Sequence, residues 1–213
     1  MKLALFGASG TIGQRILREA LSRGHTVTAI VRDPSRVAGQ GPNVQSVEGN
    51  ILDPHSVATS VAGHDAVISA FGPGANQGVE AVPQAVRSLL AGLRAAGVKR
   101  LAFVGGAGSL EVAPGVKVQD TPGWPAEFQG IAQAHTDALG VFRREGSDLD
   151  WTFLSPPALI EPGERTGKFR LGGDQLLTDD QGQSRISAED YAIALLDEVE
   201  DPKHIRRRFT VAY

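Results

Sequence analysis

Apolar and polar positions along this chain fall into blocks that switch between two periods. Residues 3–6 are a short apolar run stopped by Gly7, which predicts a buried strand. Residues 11–22 then place Ile12, Ile16, Leu17, Ala20 and Leu21 at helical spacing, with Gly24 ending the turn. Residues 26–31 are β-branched and strand-like, and Asp33-Pro34 breaks them. The alternation continues with a strand at 44–47 and a short helix that Asp53-Pro54 opens and that reaches Ala62. A strand at 66–70 leads through the turn-rich Gly72-Pro73-Gly74 into a long helix at 79–96, closed by Gly97. A strand at 101–104, a proline-rich loop at 107–126, a helix at 128–145 and a strand at 149–154 follow. Six strands interleaved with helices predict an α/β fold with a doubly wound parallel sheet and helices on both faces. Residues 156–186 read as an irregular segment on the substrate side, with a short strand near 175–178. Ser187 caps a last helix to Val199, and a strand occupies 209–213. No linker or repeat interrupts the pattern, so one domain over 1–213 is expected.

Composition sharpens this in a few respects. Glycine supplies 26 of 213 residues, about 12% against a usual ~7%. No collagen period explains the excess, so it belongs at turns and close backbone approaches, as where phosphate lies on main chain. The absence of cysteine excludes a disulfide framework, a thiolate metal site and a cysteine nucleophile. A net charge of −3 supplies no field for a polyanion, so no nucleic-acid partner is expected. The first apolar run is too short for a signal-peptide core and no stretch nears ~20 apolar residues, so a cytoplasmic protein without a membrane partner is expected. No two histidines share a ligand spacing, so no metal site is argued.

The strongest chemical signal is Gly7-Ala8-Ser9-Gly10-Thr11-Ile12-Gly13, set between the first strand and the first helix. Gly7 makes a tight turn, Gly10 lets backbone approach a pyrophosphate, and Gly13 lets helix and strand pack closely. Open N–H groups at the helix start face the anion, and Ser9 and Thr11 add hydroxyls. This is a Rossmann-like dinucleotide site. The second strand ends Val31-Arg32-Asp33. Arg32 suits the 2′-phosphate of NADP(H), with NAD(H) as the alternative, while Asp33 before proline reads as a turn cap.

The loop, together with Val31-Arg32-Asp33-Pro34, Gly49-Asn50-Ile51-Leu52-Asp53, Asp65-Ala66-Val67-Ile68-Ser69-Ala70, Val104-Gly105-Gly106-Ala107-Gly108-Ser109 and Asp150-Trp151-Thr152-Phe153-Leu154-Ser155-Pro156, resembles the atypical short-chain dehydrogenase/reductases. It is most similar to the NAD(P)H-binding branch with NADH-flavin reductase-like, biliverdin reductase B-like and NmrA-like proteins. The resemblance implies that Asn50, Ile51 and Leu52 line the adenine and that Ala70, Phe71 and Gly72 stand beside the cofactor. It implies that Val104, Gly105 and Gly106 lie under the nicotinamide ribose, and that Ser155, Pro156 and Pro157 approach the nicotinamide amide. The wider superfamily's tyrosine with lysine four residues later is missing: the only tyrosines are Tyr191 and Tyr213, and the helix reads Gln133-Ala134-His135-Thr136-Asp137.

That gap disfavours ordinary alcohol–carbonyl chemistry and leaves hydride transfer to a flavin, quinone or similar planar acceptor, which needs alignment more than a buried acid. Alternatives are a non-catalytic NADP(H)-binding redox sensor and an epimerase-like enzyme. A monomer or homodimer fits either. Ser109 at the end of the fifth strand and His135, with a pKa near neutrality, are the candidate catalytic groups. Residues 162–170 read as a flexible basic loop able to meet an acidic substrate tail. Trp124, Phe128 and Phe169 could stack on a flat ring, although Phe128 reads rather as helix core. Arg206-Arg207-Arg208 reads as a solvated edge.

Overall fold

The short apolar runs are short because each crosses one sheet. The computed structural model describes residues 1–37, 41–73 and 77–213. In chain order it contains β1 (Lys2–Phe6), α1 (Thr11–Ser22), β2 (Thr26–Val31), β3 (Val44–Glu48), α2 (Pro54–Val61), β4 (Ala66–Ser69), α3 (Ala81–Ala96) and β5 (Arg100–Val104). There follow β6 (Glu111–Ala113), β7 (Val116–Lys117), α4 (Gln129–Glu145), β8 (Asp150–Ser155), β9 (Leu159–Glu161), β10 (Arg170–Gly172), β11 (Arg185–Ser187), α5 (Ala188–Glu200) and β12 (Arg207–Ala212). The main sheet runs β10-β12-β8-β5-β4-β1-β2-β3. All its pairings are parallel except β10 with β12. Strand order reverses at β1, which pairs with β2 on one side and β4 on the other. A crevice opens at such a switch, beyond the carboxyl ends of the strands.

Alternation along each strand divides the core in two. Leu3 and Leu5 join Ile16, Leu17, Tyr191 and Leu195 under α1 and α5. Ala4 and Phe6 join Val57, Val86, Leu89 and Phe142 under α2, α3 and α4. The fold is thus a Rossmann-like, mostly parallel sheet with helices on both faces. Asp53 caps α2 through the His55 amide, and Ser187 caps α5 through the Asp190 amide. Tyr191 is core: its hydroxyl donates to the Leu154 carbonyl at 2.6 Å.

Three expectations need correction. Residues 107–126 are not all loop, because β6 and β7 form a small antiparallel hairpin there. No strand occupies 175–178; Gln175 makes a single bridge to Glu111. The segment after β8 instead contributes β10 to the sheet edge and a two-stranded parallel pair, β9 with β11. These strands have three residues each, too few to show a period. Gly74, assigned above to a turn, lies outside the described residues.

Candidate functional site

The cradle is built by main chain. Gly7 has φ +78°, and a Cβ there would stand 2.4 Å from the Ala70 carbonyl oxygen. A Cβ on Gly13 would stand 2.0 Å from the Gly7 carbonyl oxygen. Both positions therefore exclude every side chain. The Gly10 amide donates to the Gly7 carbonyl at 3.0 Å and closes the turn. Gly10 is also the N-cap of α1 and has no side chain to satisfy the first-turn N–H groups, which stay open to an anion. A cavity of about 370 Å³ lies over this loop. Gly7, Ser9, Gly10, Thr11 and Ile12 form its floor; Ile30 to Asp33, Arg36 and Gly49 to Ile51 form one wall; Ala70 to Pro73 and Gln77 form the other. Bare backbone, open amides and an elongated crevice fit a dinucleotide.

At the end of β2, Arg32 and Arg36 both line the cavity, are exposed, and form no ion pair among the described residues. Asp33 is exposed beside them. Its Oδ1 accepts from the Ser35 hydroxyl at 2.6 Å and the Ser35 amide at 3.1 Å, and these bonds hold its carboxyl below the usual range. It caps the turn, as its place before proline suggests. Arg36 escaped the sequence reading; it lies four residues after Arg32 in the short helical turn Pro34–Val37, and both arginines reach the cavity. On the same wall, Asn50 Oδ1 accepts from the Leu52 amide at 3.0 Å and shapes the turn that presents Ile51. Leu52 itself does not line the cavity.

The expected nicotinamide end lies one strand further on. Ser69 of β4 pairs with Phe103 of β5, which puts Val104, Gly105 and Gly106 beside Ala70 and Phe71. The Gly105 amide donates to the Leu154 carbonyl at 2.8 Å, which draws in the end of β8. Ser155, Pro156 and Pro157 are buried there, and none of them lines the cavity. Ser109 does not line it either. Its hydroxyl lies 3.5 Å from Nη1 of buried Arg208, which in turn binds Asp174. Arg208 is thus no solvated edge.

His135 lies on α4 with its Cβ against Gly106. Its Nδ1 is buried without a partner, and burial pushes its pKa down to about 4. The imidazole is therefore neutral near pH 7, which corrects the expectation of a pKa near neutrality. Phe128 is 52% exposed, not core. Exposed Val79 lies near Gly130 in the first turn of α4.

Residues 162–168 are anchored rather than free. Arg165 donates to both oxygens of Glu19 at 2.8 and 2.9 Å. The Gly163 amide donates to Glu189, and the Thr166 and Gly167 amides donate to buried Asp190. No helix among the described residues is long and apolar enough to cross a membrane.

Comparison with known proteins bears on this geometry. Residues 7–202 match the protein family described as NAD(P)H-binding. The structure resembles that of a candidate exported protein from Burkholderia pseudomallei, with 51% identity, all of both chains covered and a TM-score of 0.91. It resembles a candidate epimerase from Bacteroides thetaiotaomicron at 39% identity and TM-score 0.92, covering 100% of this chain and 96% of that one. It also resembles a candidate NADH-flavin reductase from Streptococcus pneumoniae at 36% identity and TM-score 0.89, covering 100% and 99%.

Proposed function

The chain belongs to the NAD(P)H-binding family, in the atypical short-chain dehydrogenase/reductase branch, and on that footing we propose that it is an NADPH-preferring reductase acting on a flavin, quinone or similar planar acceptor. One observation carries the reading. Beyond Phe71, after the carboxyl end of β5, stand Gly105, Gly106 and, packed on Gly106, neutral His135, a wall with no tyrosine–lysine pair among the described residues. Such a wall can hold a flat ring and exclude water, and it leaves the accompanying proton to come from solvent. Bound NADPH would supply the hydride. The likeness to a candidate NADH-flavin reductase supports the acceptor class. A cytoplasmic location goes with this reading, since turnover needs a supply of reduced cofactor.

In this reading the first-turn amides of α1 and the hydroxyls of Ser9 and Thr11 hold the pyrophosphate. Arg32 and Arg36 hold the 2′-phosphate, where two guanidiniums that form no ion pair among the described residues favour NADPH over NADH. The test combines binding with turnover. NADPH is expected to bind at least tenfold more tightly than NADH. Arg32→Ala and Arg36→Ala should each weaken NADPH by roughly tenfold, about the value of one charge-assisted hydrogen bond, and leave NADH unchanged. Equal affinity for the two cofactors, or NADH binding that Arg32 strengthens, would remove the preference. Oxidation of NADPH is then followed with FMN, FAD and menadione. Tight NADP binding with no turnover across that panel would replace the reductase by a redox sensor.

A further inference from the structure

One imidazole, on α4 after the carboxyl end of β5, has no hydrogen-bond partner among the described residues. His135 projects from the second turn of α4 against the carboxyl end of β5. A Cβ built on Gly106 would lie 2.8 Å from His135 Cβ and 3.2 Å from its Cδ2. That ring carbon is bonded to Nε2, so the Nε2 edge lies beside the glycine. The other edge carries Nδ1, which is buried and unbonded. The Phe103 ring leans on the imidazole at 6.3 Å and 59°. Neither nitrogen hydrogen-bonds to protein among the described residues. The tautomer with hydrogen on Nε2 leaves only a lone pair on the buried edge, which costs less than an orphaned N–H.

We propose that His135 Nε2–H donates to a carbonyl oxygen of the acceptor as the hydride reaches it, and that Gly106 is bare so that the imidazole can pack against the carboxyl end of β5. The proposal rests on the reductase reading. A quinone or flavin that accepts hydride gains two electrons and one hydrogen, and negative charge gathers at its carbonyl oxygen. A fixed donor aimed at that oxygen lowers the barrier because the charge grows during the step. Water then supplies the one proton that neutralises the product. His135 stays neutral throughout and gives up no proton. Among the described residues nothing charged faces the ring. From β5 it meets Gly106 and Phe103, and on its own helix Asp137 is exposed and accepts from Gln133 at 2.8 Å. Burial alone keeps it uncharged.

The test compares the wild-type protein, His135→Phe and His135→Gln, with NADPH and either menadione or FMN between pH 5.5 and 8.5. His135→Phe is expected to lower kcat on the order of a hundredfold while the NADPH dissociation constant stays within twofold. His135→Gln keeps an N–H donor and should recover much of the rate. Wild-type kcat should stay level from pH 6 to 8. A second readout needs no turnover: in protein with ¹⁵N-labelled histidine, FMN added to the NADP⁺ complex should shift the Nε2 resonance of His135 and leave Nδ1 in place. A His135→Phe rate within twofold of wild type overturns the proposal, as does a kcat that falls above pH 6.5, the signature of an imidazolium acid. If the wild-type protein reduces neither acceptor, the reductase reading fails and this role goes with it. If it turns over and His135→Phe keeps pace, the role of His135 alone fails.

Discussion

Gly13 leaves no room for a methyl group, because its Cβ would sit 2.0 Å from the Gly7 carbonyl. Gly13→Ala is therefore expected to push α1 off the loop, at about 1–3 kcal/mol of stability. NADPH affinity should fall more than tenfold, as read by fluorescence titration beside thermal unfolding; an unchanged affinity would mean that the loop does not hold the phosphates. His135 makes a different residue-level prediction. Its pKa of about 4 in the folded protein lies below its ordinary value of 6.5. As pH falls below 6.5 the unfolded chain takes up the proton first, so stability drains between pH 6.5 and about 4, by roughly 3 kcal/mol at most. Urea denaturation across that window should show the slope in wild type and lose it in His135→Phe. The same histidine shows what the sequence could not reveal. Its place on the helix was legible from spacing, but its charge depends on how α4 closes over β5, a long-range contact. Ser109 makes the same point: its partner Arg208 is 99 residues away and could not be read from spacing.

Elements bounded by glycine and carrying several turns of period were readable to the residue, as α1 and β2 were. The segment after β8 was not. Its strands are three residues long, and what fixes it is a set of carboxylates on α1 and α5. Asp190, fully buried on α5, accepts from the Thr166 and Gly167 amides, the Thr166 hydroxyl and the Tyr213 hydroxyl. Asp190→Ala should cost about 2–4 kcal/mol, since four donors lose their acceptor. Amide exchange at Thr166 and Gly167 should quicken before that of the sheet; protection equal to wild type would mean the strap is held by other contacts. Glu19 adds a pH term at this scale. The Arg165 guanidinium, then Arg23, hold its carboxyl below the usual 4.5. That stabilisation is complete above about pH 4.5 and is lost as pH falls through the folded value, so acid should release the strap early. Arg36 was missed because a turn of one helical repeat carries no hydrophobic face to announce it.

Across the whole molecule, the crevice floor and walls come from residues 6–77, whereas the proposed acceptor end needs β5, α4 and β8. NADPH at a hundred times its dissociation constant should stabilise the protein by about 2.7 kcal/mol and raise Tm more than NADH does at the same concentration. Equal shifts would count against the arginine pair. The parallel sheet also sets a schedule. Lys2 pairs with Thr26 after a loop of about 24 residues, while Arg100 pairs with Asp150 and Thr152 with Arg207 after loops of about 50 and 55. Chain closure thus favours the β1-α1-β2 end, and refolding should pass through a barrier at which that end is already formed. Substitutions such as Ile16→Val should slow refolding, whereas Val211→Ala in β12 should mainly speed unfolding. The phosphate cradle would then be among the first parts of the molecule to exist, and the cofactor could engage a chain whose other half is still finding its place.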